Sequence, residues 1–487
     1  MSSFVPSAYQ KAIYRFILDD DNNGIIEAVA GSGKTTTIVA GMGFIPVNQR
    51  AIFLAFNKNI AETLKGKMPV NGVASTFHSA GFRAWRQKHP KAELDDRKNR
   101  NILKKLITYE DNKRIGAGVL QLVDLAQQVG IPVLKPDNDD TWRELIDHFD
   151  VAVSSFDEEE TIATVRTVLK RSIEEAESVV SFNDMLYMPI YEGLSLSTYD
   201  YIFIDEAQDT NNVRREMARK MVRSGSRLVA VGDTNQAIYG FTGADSDSME
   251  KIKTAFQCQE FPLSICYRCG KAIVKEAQQY VSKIEASETA SDGIVANTTF
   301  GETPPNSTDA ILCRNTAPLI DLAYQFIGEG RGCRILGRDI GKGLKILIEQ
   351  MRTDDIAILR ERLADFKNTE MERLNREGRE QKAQNVADRV ECLETIIENL
   401  DYGEQTMEGL SCEIDRLFED KTGVVTLSTV HKAKGLEWER VYIYRPELMP
   451  SRYAKQPWQA QQETNLMYVA TTRAMKELYY VREVRGL

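Results

Sequence analysis

The sequence predicts an α/β fold, with parallel sheets in two separate parts of the chain, each interrupted by a mainly helical stretch. Ile25-Ile26, then Ala28-Val29-Ala30-Gly31-Ser32-Gly33-Lys34-Thr35, then the run Thr36–Ala40 read as strand, phosphate loop and helix. Short apolar runs such as Ala51–Phe56, Tyr201–Ile204 and Leu228–Val231 have the length and content of strands buried on both faces, as parallel strands are. Two long segments instead carry apolar residues every three or four positions, the helical period.

In the phosphate loop, backbone N–H groups and a helix N-terminus converge on one anion while the glycines keep side chains out of its way. Ala30, Gly31, Ser32 and Gly33 supply that backbone, Lys34 reaches the β- and γ-phosphates, and Thr35 ligates Mg²⁺. The pattern begins with Gly where this chain has Ala28, so an ordinary glycine-rich turn is the competing reading of the loop taken alone.

With 487 residues the chain exceeds what one core organises, so two to four domains are expected. A formal charge of −9 argues against a uniformly basic DNA-coating protein and leaves room for a local basic groove. Seven cysteines without paired spacing and no apolar N-terminal segment fit a reduced cytoplasmic enzyme with no membrane partner. Cys266 and Cys269 have metal-like spacing, but no second pair or nearby histidine completes four ligands.

Taken in order, Gln10 lies near the start of a helix marked by Ile13, Phe16 and Ile17, where its amide can read adenine or simply face solvent. Phe56 and the Thr76-Phe77-His78 stretch end two strands, at the edge where open α/β sheets bind ligands. Phe56 can stack a base while Thr76 and His78 hold phosphates, or Phe56 is core and His78 a satisfied polar cap. Residues from about 84 to 180 are helical, and Arg97, Lys98, Arg100, Lys104 and Lys105 either face nucleic acid or form a solvated helix face. Tyr201–Ile204 runs into Asp205-Glu206, which suit a Mg²⁺ ligand and a base for the attacking water. Gln236 follows the next strand, placed to sense the γ-phosphate, and Tyr239 and Phe241 offer stacking rings. A second α/β part begins after Phe261-Pro262. Its helices around Ile356–Leu363 and Val386–Ile397 read as an antiparallel arm or a simple solvated pair.

In this order, AVAGSGKTTT, FLAFNK, STFHSAG, FIDEAQDT, VGDTNQAIYGF, CYRC, VVTLSTVHKAKGLEW and NLMYVATTRA resemble the motif series of UvrD/Rep-type superfamily 1A DNA helicases, across nearly the whole chain. LAFNKNIAE and TVHKAKGLEW are especially similar to the F-box DNA helicase branch and its phage and bacterial relatives, with no F-box visible. The resemblance implies two RecA-like (P-loop NTPase) domains, the first from residues 1–83 and 181–262, the second from 263–336 and 418–487. The helical insertions are then 84–180 and 337–417. It implies ATP and Mg²⁺ in a cleft between those domains and single-stranded DNA across both.

By position, the resemblance assigns adenine to Gln10 and Tyr267, ribose to Glu437, the phosphates and metal to Lys34, Thr35 and Asp205, and the water to Glu206. Gln236 couples the γ-phosphate to DNA, and Arg268 and Arg473 are the two arginine fingers. Phe56, Asn57, Thr76, His78, Tyr239, Phe241, Thr429 and His431 line the strand. Two departures stand out: Thr36 replaces an Arg often found beside the adenine, and Gly240 and Thr242 replace two arginines of the DNA grip.

The leading expectation is therefore an ATP-dependent helicase moving 3′ to 5′ on single-stranded DNA and at duplex junctions, alongside repair, replication or recombination proteins. It would work in the cytoplasm of a bacterial or phage-infected cell, near the nucleoid, or in a eukaryotic nucleus. The alternatives are a translocase that strips bound proteins without unwinding, and a nucleotide-gated binding protein.

Overall fold

The computed structural model describes residues 5–149, 151, 153, 157–238, 247–376, 380–419, 422–454 and 456–482. They form two compact units, Met1–Ser264 and Ile265–Leu487. Each is built on a six-stranded parallel sheet, the α/β class expected.

In the first unit the strands lie in the order Gly72–Thr76, Ala51–Ala55, Tyr201–Ile204, Arg227–Gly232, Gly24–Ala28, Gln259–Leu263. Successive side chains point to opposite faces, so Ile25, Ile52, Leu54, Ile202 and Leu228 enter one core and Ile26, Phe53, Phe203 and Val229 another. Ile13, Phe16 and Ile17 of the helix Ala8–Asp19 cover the second core. Met217 and Met221 of the helix Asn212–Met221 cover the first. The strand Gln259–Leu263 contains Pro262, tolerated because this is an edge strand. Leu263 therefore closes the first sheet instead of opening the second part.

Arg227 is a buried cation that the sequence pattern does not single out. Its Nη1 and Nη2 donate to the carbonyls of Ile17 and Phe16 at 2.7 and 2.8 Å, and its Nε to that of Asn22 at 3.1 Å. It thus satisfies the carbonyl end of the helix that carries Gln10, where the helix dipole favours positive charge.

The first insertion holds helices Lys98–Leu106, Tyr109–Val129, Asp139–His148 and Glu158–Glu175 around its own core of Leu103, Leu122, Trp142 and Val165. A two-residue parallel pair, Glu93–Leu94 with Val179–Val180, is set into this mainly helical stretch. Of its basic row, Arg97, Arg100, Lys104 and Lys105 are exposed, but Lys98 turns inward. Lys98 Nζ lies 2.7 Å from Asp184 Oδ2 and 2.6 Å from the Ser172 carbonyl, and Asp184 Oδ2 also accepts from the Ser181 N–H at 2.8 Å. One solvated basic face thus becomes a buried pair plus four outward cations.

The second sheet runs Ile294–Thr298, Ala474–Val481, Trp438–Tyr444, Ala310–Cys313, Val425–Thr429, Cys333–Ile335. Its insertion contains Arg338–Met351, Ile356–Arg376, Glu380–Glu398 and Met407–Leu417. Ile356–Arg376 and Glu380–Glu398 are antiparallel, as the pairs Arg360–Glu398 and Lys367–Glu391 show. They are not a solvated arm, because Leu359, Leu363, Val390 and Leu393 share one core with Ile311, Leu427 and Tyr442 of the sheet. Asp388 accepts from the N–H groups of Thr316 and Ala317 at 3.1 and 3.0 Å, capping the helix Ala317–Gly328 from the insertion.

Removing one partner of a buried pair leaves an uncompensated charge. Lys98→Ala is expected to destabilise the protein by about 3–5 kcal/mol, while Arg100→Ala on the outer face changes stability by less than about 0.5 kcal/mol. Denaturant unfolding of the two variants checks the contrast.

Candidate functional site

Every strand of the first sheet is parallel, so the loops after each of them gather at one edge. Gly31 and Gly33 have φ of 67° and 77°, the left-handed backbone that lets the chain turn tightly before the helix Lys34–Met42. Ser32 Oγ donates to the Val29 carbonyl at 2.8 Å and the Val29 N–H to the Leu263 carbonyl at 3.0 Å, pinning the loop to the sheet.

Opposite the loop stand the carboxylates that follow Tyr201–Ile204. Thr35 Oγ1 donates to Asp205 Oδ2 at 3.0 Å, and Lys34 Nζ lies 3.5 Å from Glu206 Oε2. Burial, then the neighbouring Glu206 charge, pushes the Asp205 carboxyl up to about 6. A threonine hydroxyl bonded to a buried carboxylate, beside a second carboxylate and a lysine, is a donor set that fits a hard divalent cation, which would relieve that repulsion. Glu206 has φ 50°, a left-handed conformation costly for a residue with a Cβ and characteristic of functional turns.

Gln208, quoted within a motif but given no role from sequence, joins the site's parts. Its Nε2 donates to Glu206 Oε2, and its Oε1 accepts from the Asp233 N–H at 3.0 Å. Asp233, raised by burial, accepts from Gln236 Nε2 at 2.7 Å. Glu206 and Gln236 are thereby linked through Gln208 and Asp233. A Cβ on Gly232 would stand 2.6 Å from both Gln208 Oε1 and Met249 Sδ, so only glycine lets Gln208 approach.

Gln10 is buried and its amide is used at both ends: Oε1 accepts from the Ser7 N–H at 3.0 Å and Nε2 donates to Thr37 Oγ1 at 2.9 Å. Thr37 in turn donates to the Gly33 carbonyl at 2.9 Å, so Gln10 braces the phosphate loop. Thr36 follows Thr35 on the same helix.

Phe56 is half-buried and Asn57 exposed, its Oδ1 capping the helix Lys58–Lys65 by accepting from the Ile60 N–H at 2.9 Å. Thr76 likewise caps Phe77–Lys88 through the Ser79 N–H at 3.1 Å. His78 is buried and stacks on Phe182, ring centroids 3.9 Å apart, with Phe182 itself 51% exposed. Burial, then the Arg214 charge, lowers His78 to about 3, so it is neutral at pH 7. Tyr239 and Phe241 lie outside the described residues.

In the second unit Arg268, Glu437 and Arg473 gather although distant in sequence. Arg268 pairs with Glu437 and also donates from Nη1 to the Thr472 carbonyl at 3.4 Å. Glu437, expected at a ribose, is thus the partner of Arg268. Arg473 is buried, donating to the carbonyls of Val469 and Leu436 at 3.0 Å each. Tyr267 is 42% exposed beside them. The Cys269 N–H donates to Cys266 Sγ at 3.4 Å, so these cysteines fold the Tyr267-Arg268 turn. Thr429 is buried at its strand end, and His431 is lowered to about 3 by burial, then by Arg314, Lys432 and Lys434.

This geometry, a phosphate loop facing paired carboxylates at a parallel-sheet edge, defines a P-loop nucleotide-binding class. Residues 93–483 match the model of the UvrD-like helicase C-terminal domain, and the chain belongs to the UvrD-like helicase family. It is 22% identical to F-box DNA helicase protein 1 of Schizosaccharomyces pombe over 93% of this chain and 55% of that protein. It is 22% identical to a probable DNA helicase of Mycoplasma pneumoniae over 95% of this chain and 81% of that protein. It is 25% identical to the ATP-dependent DNA helicase PcrA of Staphylococcus aureus over 57% of this chain and 40% of PcrA. The chain thus spans about half the length of several relatives it matches.

Gly232→Ala is expected to fold but to displace Gln208 from Glu206, read as a lowered melting temperature in a thermal melt. A second expectation concerns pH. His78 and His431 titrate near 3 when folded and near 6.5 when unfolded, so the unfolded chain binds more protons between those values and stability falls on acidification. Asp205, raised to about 6, acts oppositely across about pH 4 to 6. The melting temperature of His78→Phe should therefore depend less steeply on pH below 6.5 than that of the wild type, by at most about 1.4 kcal/mol per pH unit in stability.

Proposed function

We propose that this chain is an ATP-dependent DNA helicase that moves 3′ to 5′ along single-stranded DNA. The observation carrying the reading is the joined set Lys34, Thr35, Asp205, Glu206, Gln208, Asp233 and Gln236 at one sheet edge, in a member of the UvrD-like family. The names of the relatives support DNA as substrate and ATP as fuel.

In this reading the loop N–H groups and Lys34 bind the β- and γ-phosphates, while Thr35 and Asp205 hold Mg²⁺. Bound Mg²⁺ supplies positive charge against the phosphate oxygens. Glu206, held by Lys34 and Gln208, accepts the proton of the attacking water. Gln236, tied through Asp233 to Gln208, transmits the state of the phosphate site. Arg268 and Arg473, which the resemblance assigns as arginine fingers, would supply the positive charge that phosphoryl transfer calls for. Phe56, Asn57, Thr76, His78, Thr429 and His431 line the strand, with single-strand/duplex junctions as the working substrate.

Strand displacement of 3′- and 5′-tailed duplexes tests it. Wild type is expected to displace only the 3′-tailed strand, and Lys34→Ala neither. Equal activity in the two proteins sinks the proposal, and DNA-stimulated ATP turnover without displacement favours a protein-stripping translocase. Glu206→Gln is expected to lower ATP turnover by about 10²–10⁴-fold, the usual contribution of a positioned base.

A further inference from the structure

The strand-lining residues of the first unit include rings and hydroxyls but no charge. Phe56, Asn57 and Thr76 are uncharged and His78 is neutral at pH 7. Single-stranded nucleic acid nevertheless binds through phosphates, and each phosphate contact by a cation leaves a mark on salt dependence.

A small pocket at the carboxyl edge of the sheet is lined by Phe56, His78, Thr210 and Arg214, together with Asp205 and Glu206. Arg214 lies in the first turn of the helix Asn212–Met221, which Asn211 caps by accepting the Arg214 N–H at 3.0 Å. Its Nη1 donates to the Asp209 carbonyl at 2.9 Å, and its guanidinium carbon sits 5.9 Å from the centre of the Phe56 ring. Its Nε is buried with no hydrogen-bond partner among the described residues. An unmatched donor on a charged group is costly, and an anionic oxygen is the acceptor that recovers the loss best. The carboxylates in the pocket are already engaged, Asp205 by Thr35 and Glu206 by Lys34 and Gln208.

We propose that Arg214 is a DNA-binding residue whose guanidinium receives a backbone phosphate of the single strand beside Phe56 and His78. The proposal rests on the reading that this unit binds single-stranded DNA. It gives the strand a cation adjacent to the carboxylates of the hydrolytic site. Phe56 then stacks a base and Arg214 fixes the phosphate that belongs to it.

Binding of fluorescent oligo(dT) to the full chain, followed between about 50 and 200 mM salt, tests it with wild type, Arg214→Gln and Arg214→Lys. For wild type, log affinity should fall linearly with log salt. Arg214→Gln should bind more weakly and reduce the slope by about 0.7, the share of one phosphate on a single strand. Arg214→Lys keeps the charge, so its slope should stay at the wild-type value while affinity drops with the lost planar fork. An unchanged slope in Arg214→Gln overturns the proposal. If Arg214→Gln does not fold, Arg214→Lys decides: wild-type affinity at every salt concentration overturns it. A wild-type protein that does not bind oligo(dT) sinks the parent reading instead, so the two failures are distinguishable.

Discussion

Parallel pairing of Gly24–Ala28 between Arg227–Gly232 and Gln259–Leu263 is the constraint on which the first unit depends. Its register sets Glu27 against Gly232, so the phosphate loop and the turn after Gly232 leave the sheet side by side. Tyr201–Ile204 pairs with Arg227–Gly232 on the other side, which delivers Asp205, Glu206 and Gln208 to the same edge. With both faces buried, polar side chains find room only where the strands end. A site rich in carboxylates and amides is the consequence of that geometry.

Such a site is stable only if each buried polar group has a partner. Gln208 answers two needs at once, accepting from the Asp233 backbone and donating to Glu206, while Lys34 shares the same carboxylate. Gln10 does the equivalent for the loop helix through Thr37, and Arg227 holds the far end of Gln10's own helix. Residues that bind ligand are therefore positioned by residues that bind other residues. The buried Nε of Arg214 has no such partner among the described residues.

The second unit uses the same sheet logic with a different treatment of its insertion. Asp388 caps a helix of the sheet layer, Thr395 Oγ1 donates to Asp321 at 2.9 Å, and Tyr324 donates to Glu413 at 3.0 Å. Apolar burial joins the same helices to the sheet. The insertion is thus part of this unit's core, with its polar ties spaced along one helix.

The sequence by itself determined the sheet class, the phosphate loop and the residues ending each buried strand, because short apolar runs and glycine spacing are local properties of the chain. It also marked Arg268, Glu437 and Arg473, through motif order. Their partners were decided only by tertiary structure. Nothing local distinguishes Lys98, which is buried against Asp184, from Arg100, which is solvated. Nothing in the sequence pattern singles out Arg227 or Arg214, and only folding places one under a helix end and the other beside Phe56. Pro262 reads as a boundary until the sheet shows it to be on an edge. A side chain's partner depends on which distant strands pair, and pairing is fixed by how the whole core packs.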